Sequence, residues 1–488
     1  MLLLLFCLLR VGDLRTQAVR LSLSECIAIS TDSSLQAFRA KNMYYSSYWS
    51  YRAYKASCLP SISLQFNPMQ YNRNITKRYD YSENLDIYRE QQSYSSSGGL
   101  SVSQIIPLTG GTFSFDTDLS YLKNFGENIF SQYSSVPFRI SYSQSVFGFN
   151  PYQWERKVEP LKYEQAKKKL VYQIEELSET TVTYFFDLVL AQKQYELAEE
   201  ILLSTDTLYR VGQEREKISA ILPSEIELLE IDLLNSENRL QTAAMNLRNA
   251  QYRLRSFLNR GEREEIEIDV PMRRPQIFIS VEEALLQAQE NNPDYLGFAQ
   301  ELLEAEKSLK QIEKESSFSA SISASIGFNQ ASETLRGAYS SPSQQDVVSI
   351  SVSIPMVDWG VRKGRMNMAR NNLNITRLTI EQARENLKEE IISTIDRFHI
   401  HQELTVSAAR ALELATSAFE NTKRRFIVGK SDVNSLTQNM NRRHEAQRNF
   451  IDVLKNYWMN YYKIRKLTLY DFEKNEKLSF SIDDRLIK

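Results

Sequence analysis

Tyr184, Leu188, Ala191, Tyr195, Ala198, Leu202, Thr205 and Tyr209, followed by Val211-Gly212, form one series; His401, Thr405, Ala408, Leu412, Ala415, Phe419, Thr422 and Phe426, followed by Val428-Gly429, form a second. The two agree position for position. Both advance by four and three residues in turn, the spacing of a coiled-coil seam, and both stop at Val-Gly. The chain therefore encodes one object twice: a long helix with a narrow packing stripe, ended by a glycine suited to a helix C-cap.

The helices extend outward from these seams. Residues 151–211 read as a helix of roughly 90 Å. A tip at 212–223 passes through Ile218 and Leu222 to Pro223, and 224–258 read as a shorter return helix. The cycle begins at a helix over 22–57 and restarts at one over 280–316, where Ser280-Val281-Glu282-Glu283-Ala284-Leu285 echoes Ser22-Leu23-Ser24-Glu25-Cys26-Ile27. The second long helix spans 358–428, its tip 429–436 and its return helix 432–470. Two short helices laid end to end match one long one. The expectation is a rod about 100 Å long, with strands at one end, turns at the other, and a belt formed by 260–278 and the polar tail 471–488.

Between the helices the period falls to two. Ile62, Leu64 and Phe66 alternate with Ser61, Ser63 and Gln65, and Leu100 and Val102 alternate with Ser101 and Ser103. Phe113, Phe115, Thr117, Leu119 and Tyr121 alternate with polar residues, as do Phe138, Ile140 and Tyr142; the second half repeats this over 318–328 and 348–354. Each candidate strand has one apolar face and one small polar face, and is long enough to cross a bilayer when tilted. A soluble sheet with one wet face has the same alternation; the serine-rich polar face favours a water-filled barrel. Four such strands cannot close alone, and unpaired backbone in lipid costs several kcal/mol per group. The sheet must be completed by further copies of the chain. The fold class is thus mixed: long antiparallel coiled-coil helices plus a membrane β-barrel to which each chain gives about four strands, with internal duplication.

The formal net charge of −2 and charged fraction of 25% give no electrostatic case for nucleic acid. The mean hydropathy of −0.42 excludes a polytopic helical membrane protein. Residues 1–18, with the apolar run Leu2–Leu9 and Thr16-Gln17-Ala18, read as a signal peptide. Cys26 and Cys58 sit roughly 48 Å apart at the ends of one helix and cannot pair within it. His399 and His401 are two apart on a helix and face different sides, so no metal pair arises. Gly110-Gly111 is a hairpin turn, not a phosphate loop. No cofactor, metal site, nucleophile elbow or enzyme is legible.

On these residues, and on Ile354-Pro355-Met356-Val357-Asp358-Trp359-Gly360 at a strand-to-helix junction, the chain resembles the TolC-like outer-membrane factors of tripartite efflux and type I secretion. The resemblance covers nearly everything after residue 20. It implies a homotrimer with a 12-stranded barrel in outer-membrane lipid of a Gram-negative cell. It further implies a periplasmic helical tunnel, and a tip that meets a periplasmic adaptor protein and, through it, an inner-membrane RND or ABC transporter. The organisation would be a first repeat at 19–259, a connector at 260–278, a second repeat at 279–470 and a tail at 471–488. Gly212, Leu222, Pro223, Gly429, Asp432, Asn434, Leu436 and Gln438 would form the tip, as gate and adaptor contact. Trp154, Pro355, Trp359 and Gly360 would mark the barrel–helix junction. The chain departs from the family in its extra strand candidates at 61–66 and 100–106, which form either an external hairpin or part of a larger barrel. It also departs in having Asp432 as the only acid beyond the second tip glycine. The expected function is a passive exit duct of a tripartite efflux pump. A type I protein-secretion duct, or an exported coiled-coil scaffold or adhesin stalk, remain the alternatives.

Overall fold

The computed structural model describes residues 19–480, except 82–83, 126–128, 219–221, 262–265, 271–275, 317 and 428–432. In chain order the elements are β1 (Val19–Ser22), α1 (Leu23–Ser33), α2 (Leu35–Ser57), β2 (Ser61–Asp80), β3 (Leu85–Ile106), β4 (Gly111–Phe125), β5 (Phe130–Ser145), α3 (Pro151–Lys217), α4 (Pro223–Phe257) and β6 (Ile266–Asp269). They continue with α5 (Val281–Asn291), α6 (Pro293–Glu315), β7 (Ser319–Ser332), α7 (Gly337–Ser340), β8 (Ser343–Ser353), α8 (Val361–Ile427), α9 (Val433–Thr468), β9 (Tyr470–Asp471) and β10 (Glu476–Lys477).

Each helix expected at 22–57 and 280–316 is in fact two, broken at Ser34 and Asn292. The cause is the same in both. An extended residue with a side-chain acceptor caps the helix that follows: Ala37 N–H donates to Ser34 Oγ at 3.0 Å, and Asp294 N–H to Asn292 Oδ1 at 2.8 Å. The pieces have equal lengths in both halves, 11 and 23 residues, and the long helices α3 and α8 are 67 residues each.

The chain divides into two compact units, and the division falls within α2, α3, α6 and α8. One unit comprises residues up to 45, 166–295 and 384–488. Its interior is built on the seams. Val182, Phe185, Phe186 and Leu188 of α3 pack with Leu254 and Leu258, with Leu21 and Ile266 of the parallel β1–β6 pair, and with Phe450 and Leu454 of α9. A second cluster joins Ile391, Ile395 and Phe398 of α8 to Tyr457 and Tyr461 of α9, and to Ile279 and Ala284 at the start of α5. The other unit, 46–165 and 296–383, holds the sheet.

That sheet has six strands in the order β2-β3-β4-β5-β7-β8, all antiparallel, where about four were expected. The extra pair extends well beyond the candidates at 61–66 and 100–106. β2 and β3 run 20 and 22 residues and pair almost throughout, with one irregularity between Asn67 and Gln70. The stretch is hard to recognise as strand because charges interrupt its apolar face in the distal half, where Arg73, Lys77, Asp86 and Glu90 share a face with Ile75, Tyr79 and Tyr88. Arg73 pairs with Glu90 across the ladder, and Lys77 with Asp86 at 2.8 Å. Backbone pairing, not apolar alternation, makes it a strand.

Candidate functional site

The sheet unit separates two chemistries onto two faces. Cross-strand partners share a face, so rows can be followed across strands. One row is Ile62, Val102, Phe115, Ile140 and Ile326; the next is Phe113, Tyr142, Ala324 and Val348. On the opposite face, Ser63, Ser101, Asp116, Arg139 and Gly327 form one row, and Ser61, Ser103, Ser114, Ser141 and Ser325 another. Asp116 accepts from Ser101 Oγ at 2.6 Å and from Ser114 Oγ at 3.0 Å. The apolar face is bordered by aromatic rings at both ends. Tyr121 lies 6.2 Å from Tyr94 and 4.9 Å from Tyr133 at the distal border; Phe113–Tyr142 at 4.7 Å and Phe147–Phe318 at 4.9 Å mark the end nearer the helices. From Phe113 to Tyr121 along β4 is about 27 Å at strand rise, close to the height of a bilayer's apolar band. Among the described residues no helix is long and apolar enough to cross a membrane.

Each strand-to-helix junction is capped by a polar side chain. Asn150 accepts from Tyr152 N–H at 3.0 Å ahead of Pro151, a residue pre-set for the first helical turn. Trp154 follows in that turn, half-buried, with Lys157 Nζ 5.2 Å from its ring centre. At the other junction Asp358 accepts from the backbone N–H of Gly360 and Arg362, at 3.2 and 2.9 Å, and from Arg362 Nε at 2.6 Å. The Arg362 side chain, helped by those backbone donors, brings the Asp358 carboxyl down to about 2. Trp359 and Gly360 turn the chain with φ of +53° and +92°, and Trp359 is 95% exposed. Left-handed backbone at a tryptophan costs about 1–3 kcal/mol. Pro355 is exposed just before the turn.

The tip residues distribute differently from the sequence reading. Gly212 does not end its helix: α3 runs five residues further, and Gly212 is a buried position inside it. Glycine accepts helical φ and ψ, and the following charged residues are adequate helix formers tied by a Glu214–Lys217 pair at 2.7 Å. The turn comes later, where Leu222 is 65% exposed and Pro223 opens α4. Gly429 and Asp432 lie outside the described residues. Asn434 lies in the first turn of α9; Leu436 is half-buried and Gln438 exposed.

Sequence reasoning missed the polar contacts that bind the helices of this unit together. α9 carries a row of cations that meets a row of acids on α3. Arg465 forks onto Glu175 with both bonds at 3.0 Å, Lys466 meets Glu179 and Lys455 meets Asp187 at 2.6 Å each, and Arg443 bonds Glu200. The charged residues stand in the sequence at unequal intervals on the two helices, so pairing them needs the antiparallel register. Nearer the tips, Thr205 Oγ1 shares a 2.8 Å hydrogen bond with Ser236 Oγ, and Asn439 Nδ2 donates to Thr422 Oγ1 at 3.1 Å. Both threonines belong to the repeated seam. Of the histidines, His399 stacks on Phe278 and His444 sits 3.6 Å from Glu200, and no group of three or more metal-ligating side chains occurs among the described residues.

Residues 284–468 match the family model described as outer membrane efflux protein. The fold resembles the Campylobacter jejuni CmeC outer membrane channel with a TM-score of 0.65 at 15% identity, over 93% of this chain and 88% of that one. It resembles the outer membrane protein VceC from Vibrio cholerae with a TM-score of 0.60 at 11% identity, over 91% and 95%. Against the open state of the Neisseria gonorrhoeae MtrE outer membrane channel the TM-score is 0.59 at 15% identity, over 91% and 88%. A comparison with the curated proteins gave no match. The chain therefore has the fold of these outer-membrane channels, and residues 284–468 carry the match to the outer membrane efflux protein model.

Proposed function

We propose that this chain is the outer-membrane exit duct of a tripartite efflux pump, a passive conduit from periplasm to exterior. The observation that carries the reading is the sheet: one face apolar and bordered by aromatic rings, the other lined by serines, Asp116 and Arg139. A soluble stalk has no use for a broad apolar face with Ile62 at 71% and Val348 at 74% exposure. Three copies assemble, because the two edge strands β2 and β8 would otherwise leave unpaired backbone in lipid. The helical unit lies in the periplasm, where its tip around Leu222, Pro223 and Leu436 contacts an adaptor protein serving an inner-membrane RND or ABC transporter. Energy comes from that transporter, and the duct opens when the tip helices part. The equal helix lengths in the two halves support an internal duplication.

The test is direct. The protein should fractionate with the outer membrane, need detergent, and run on gels as a trimer that heat converts to monomer. A Leu222→Cys variant carrying a short thiol-to-amine crosslinker should capture a periplasmic protein that copurifies with an inner-membrane transporter. A water-soluble monomer would overturn the proposal.

A further inference from the structure

We infer that β2 and β3 are wall strands, so that the barrel closes where β2 of one copy pairs with β8 of the next, and three copies of six strands enclose it with eighteen. This rests on the three-copy reading above, but the strand number is a separate matter. A four-strand contribution would put β4 at the seam and leave the β2–β3 hairpin outside the wall.

Three observations favour β2 as the seam, and strand direction permits it. First, β2 and β3 continue both chemical faces of the sheet without interruption. Leu64 faces Leu100, Ile62 faces Val102 and then Phe115, while Ser63, Ser101 and Asp116 line up on the polar side. A hairpin packed outside the wall would have no reason to carry the same alternation in the same register. Second, the β3–β4 turn is fastened to the start of α3. Asn150 Nδ2 donates to Pro107 O at 3.1 Å and Gln153 Nε2 to Leu108 O at 2.7 Å, while Gln144 Nε2 holds Thr109 O at 2.8 Å. The inserted hairpin thus begins at the same level as the other wall strands. With all neighbours antiparallel, β2 and β8 point oppositely, so β8 of one copy can meet β2 of the next as another antiparallel pair; β4 points the same way as β2, so direction permits this seam without choosing it. Third, the lengths match. β8 is 11 residues, Ser343–Ser353, exposed throughout. The part of β2 that alternates, from Ser61 to the ring of Tyr71, is the same length; beyond it the Arg73–Glu90 and Lys77–Asp86 pairs interrupt the apolar face with charge and suit it to water. β8 therefore covers just the part of β2 that lipid would otherwise strip of hydrogen bonds.

The consequence is a wider lumen. Barrel diameter grows roughly in proportion to strand number, so eighteen strands give about 1.5 times the width of twelve, in the range where a barrel encloses an open aqueous channel. The Ser101–Asp116–Arg139 row lines it.

The experiment is cysteine pairing between copies in a Cys26→Ser/Cys58→Ser background. Ser61→Cys or Ser63→Cys is combined with Ser349→Cys, Ser351→Cys or Ser353→Cys, all on the polar face. Mild oxidation should give covalent trimers on non-reducing gels for at least one combination. Leu64→Cys with Ser351→Cys, on opposite faces, should not. A trimer that instead crosslinks Ser114→Cys to a β8 cysteine, or one that crosslinks at neither seam, overturns the eighteen-strand wall while leaving the three-copy duct intact. Absence of any trimer by mass measurement in detergent sinks the underlying reading instead. As a second readout, electron microscopy of the trimer in nanodiscs should show a barrel about one and a half times as wide as a twelve-stranded one; equal width refutes the inference.

Discussion

Replacing Arg465 by methionine should be among the most damaging single changes in the helical unit. Its guanidinium forks onto Glu175 and also bonds Asp471 Oδ2 at 2.7 Å, with Tyr461 donating to the other Asp471 oxygen at 3.0 Å. The side chains of Arg465, Glu175 and Asp471 are only 16%, 8% and 2% exposed. Burial alone would favour loss of the Arg465 proton, but the carboxylates of Glu175 and Asp471 outweigh it and hold the charge firmly in place. Methionine fills most of the volume yet leaves two buried carboxylates without a cation. Breaking a buried pair in this way costs about 3–5 kcal/mol. Arg465→Lys keeps the charge and loses the fork, so it should cost less, about 1–3 kcal/mol. Removing all three charges together (Arg465→Met, Glu175→Gln, Asp471→Asn) should recover much of the loss, because no ion is then stranded. The assay is guanidinium unfolding of the detergent-solubilised protein followed by circular dichroism, with amide exchange over 461–477 to localise the effect. A methionine variant within about 1 kcal/mol of the parent would refute the claim that this triad ties α9 and the β9–β10 tail to α3.

Other consequences are as specific. Gly360→Ala meets open space but must adopt a φ of +92°, so it should destabilise the β8–α8 junction by about 1–3 kcal/mol, read as a lower unfolding midpoint. Desolvation, with Arg443 alongside, lowers His444 below its usual 6.5 despite the nearby Glu200. The unfolded chain therefore takes up a proton before the folded one, and stability present above about pH 6.5 is lost as pH falls below it; His444→Gln should flatten that acid limb of the stability profile. Thr205→Ala and Asn439→Ala each remove one hydrogen bond between seam and return helix, worth about 0.5–1.5 kcal/mol, and should raise leak conductance in planar bilayers. Unchanged conductance would separate these bonds from the closed state.

The seams were readable because a 4-3 repeat is written in every residue it uses: Leu188, Ala191 and Ala198 are buried as the stripe requires. The proximal half of each strand was readable for the same reason, since lipid or core on one side and water on the other force a period of two. Legibility ended where one solvent bathes both faces. The distal halves of β2 and β3 carry Arg73, Lys77, Asp86 and Glu90, which interrupt the apolar face that would separate strand from loop. Gly212 misled for a different reason. Glycine permits a C-cap but does not compel one: α3 continues to Lys217, and Pro223 opens the next helix. The junction at Asp358–Gly360 was visible as a motif, whereas the α3–α9 charge rows became visible only with the antiparallel register.

The two-faced wall itself can be tested by accessibility in the reconstituted protein. Single cysteines placed in turn along β2 to β8 would be challenged with a water-soluble thiol reagent and, separately, with a lipid-soluble one. A period of two is expected in the proximal part of every strand, β2 and β3 included, outside the register shifts: positions such as Ser63, Ser101 and Ser325 react from water, and Leu64, Val102 and Ile326 only from lipid. Equal labelling of both faces from water would contradict it.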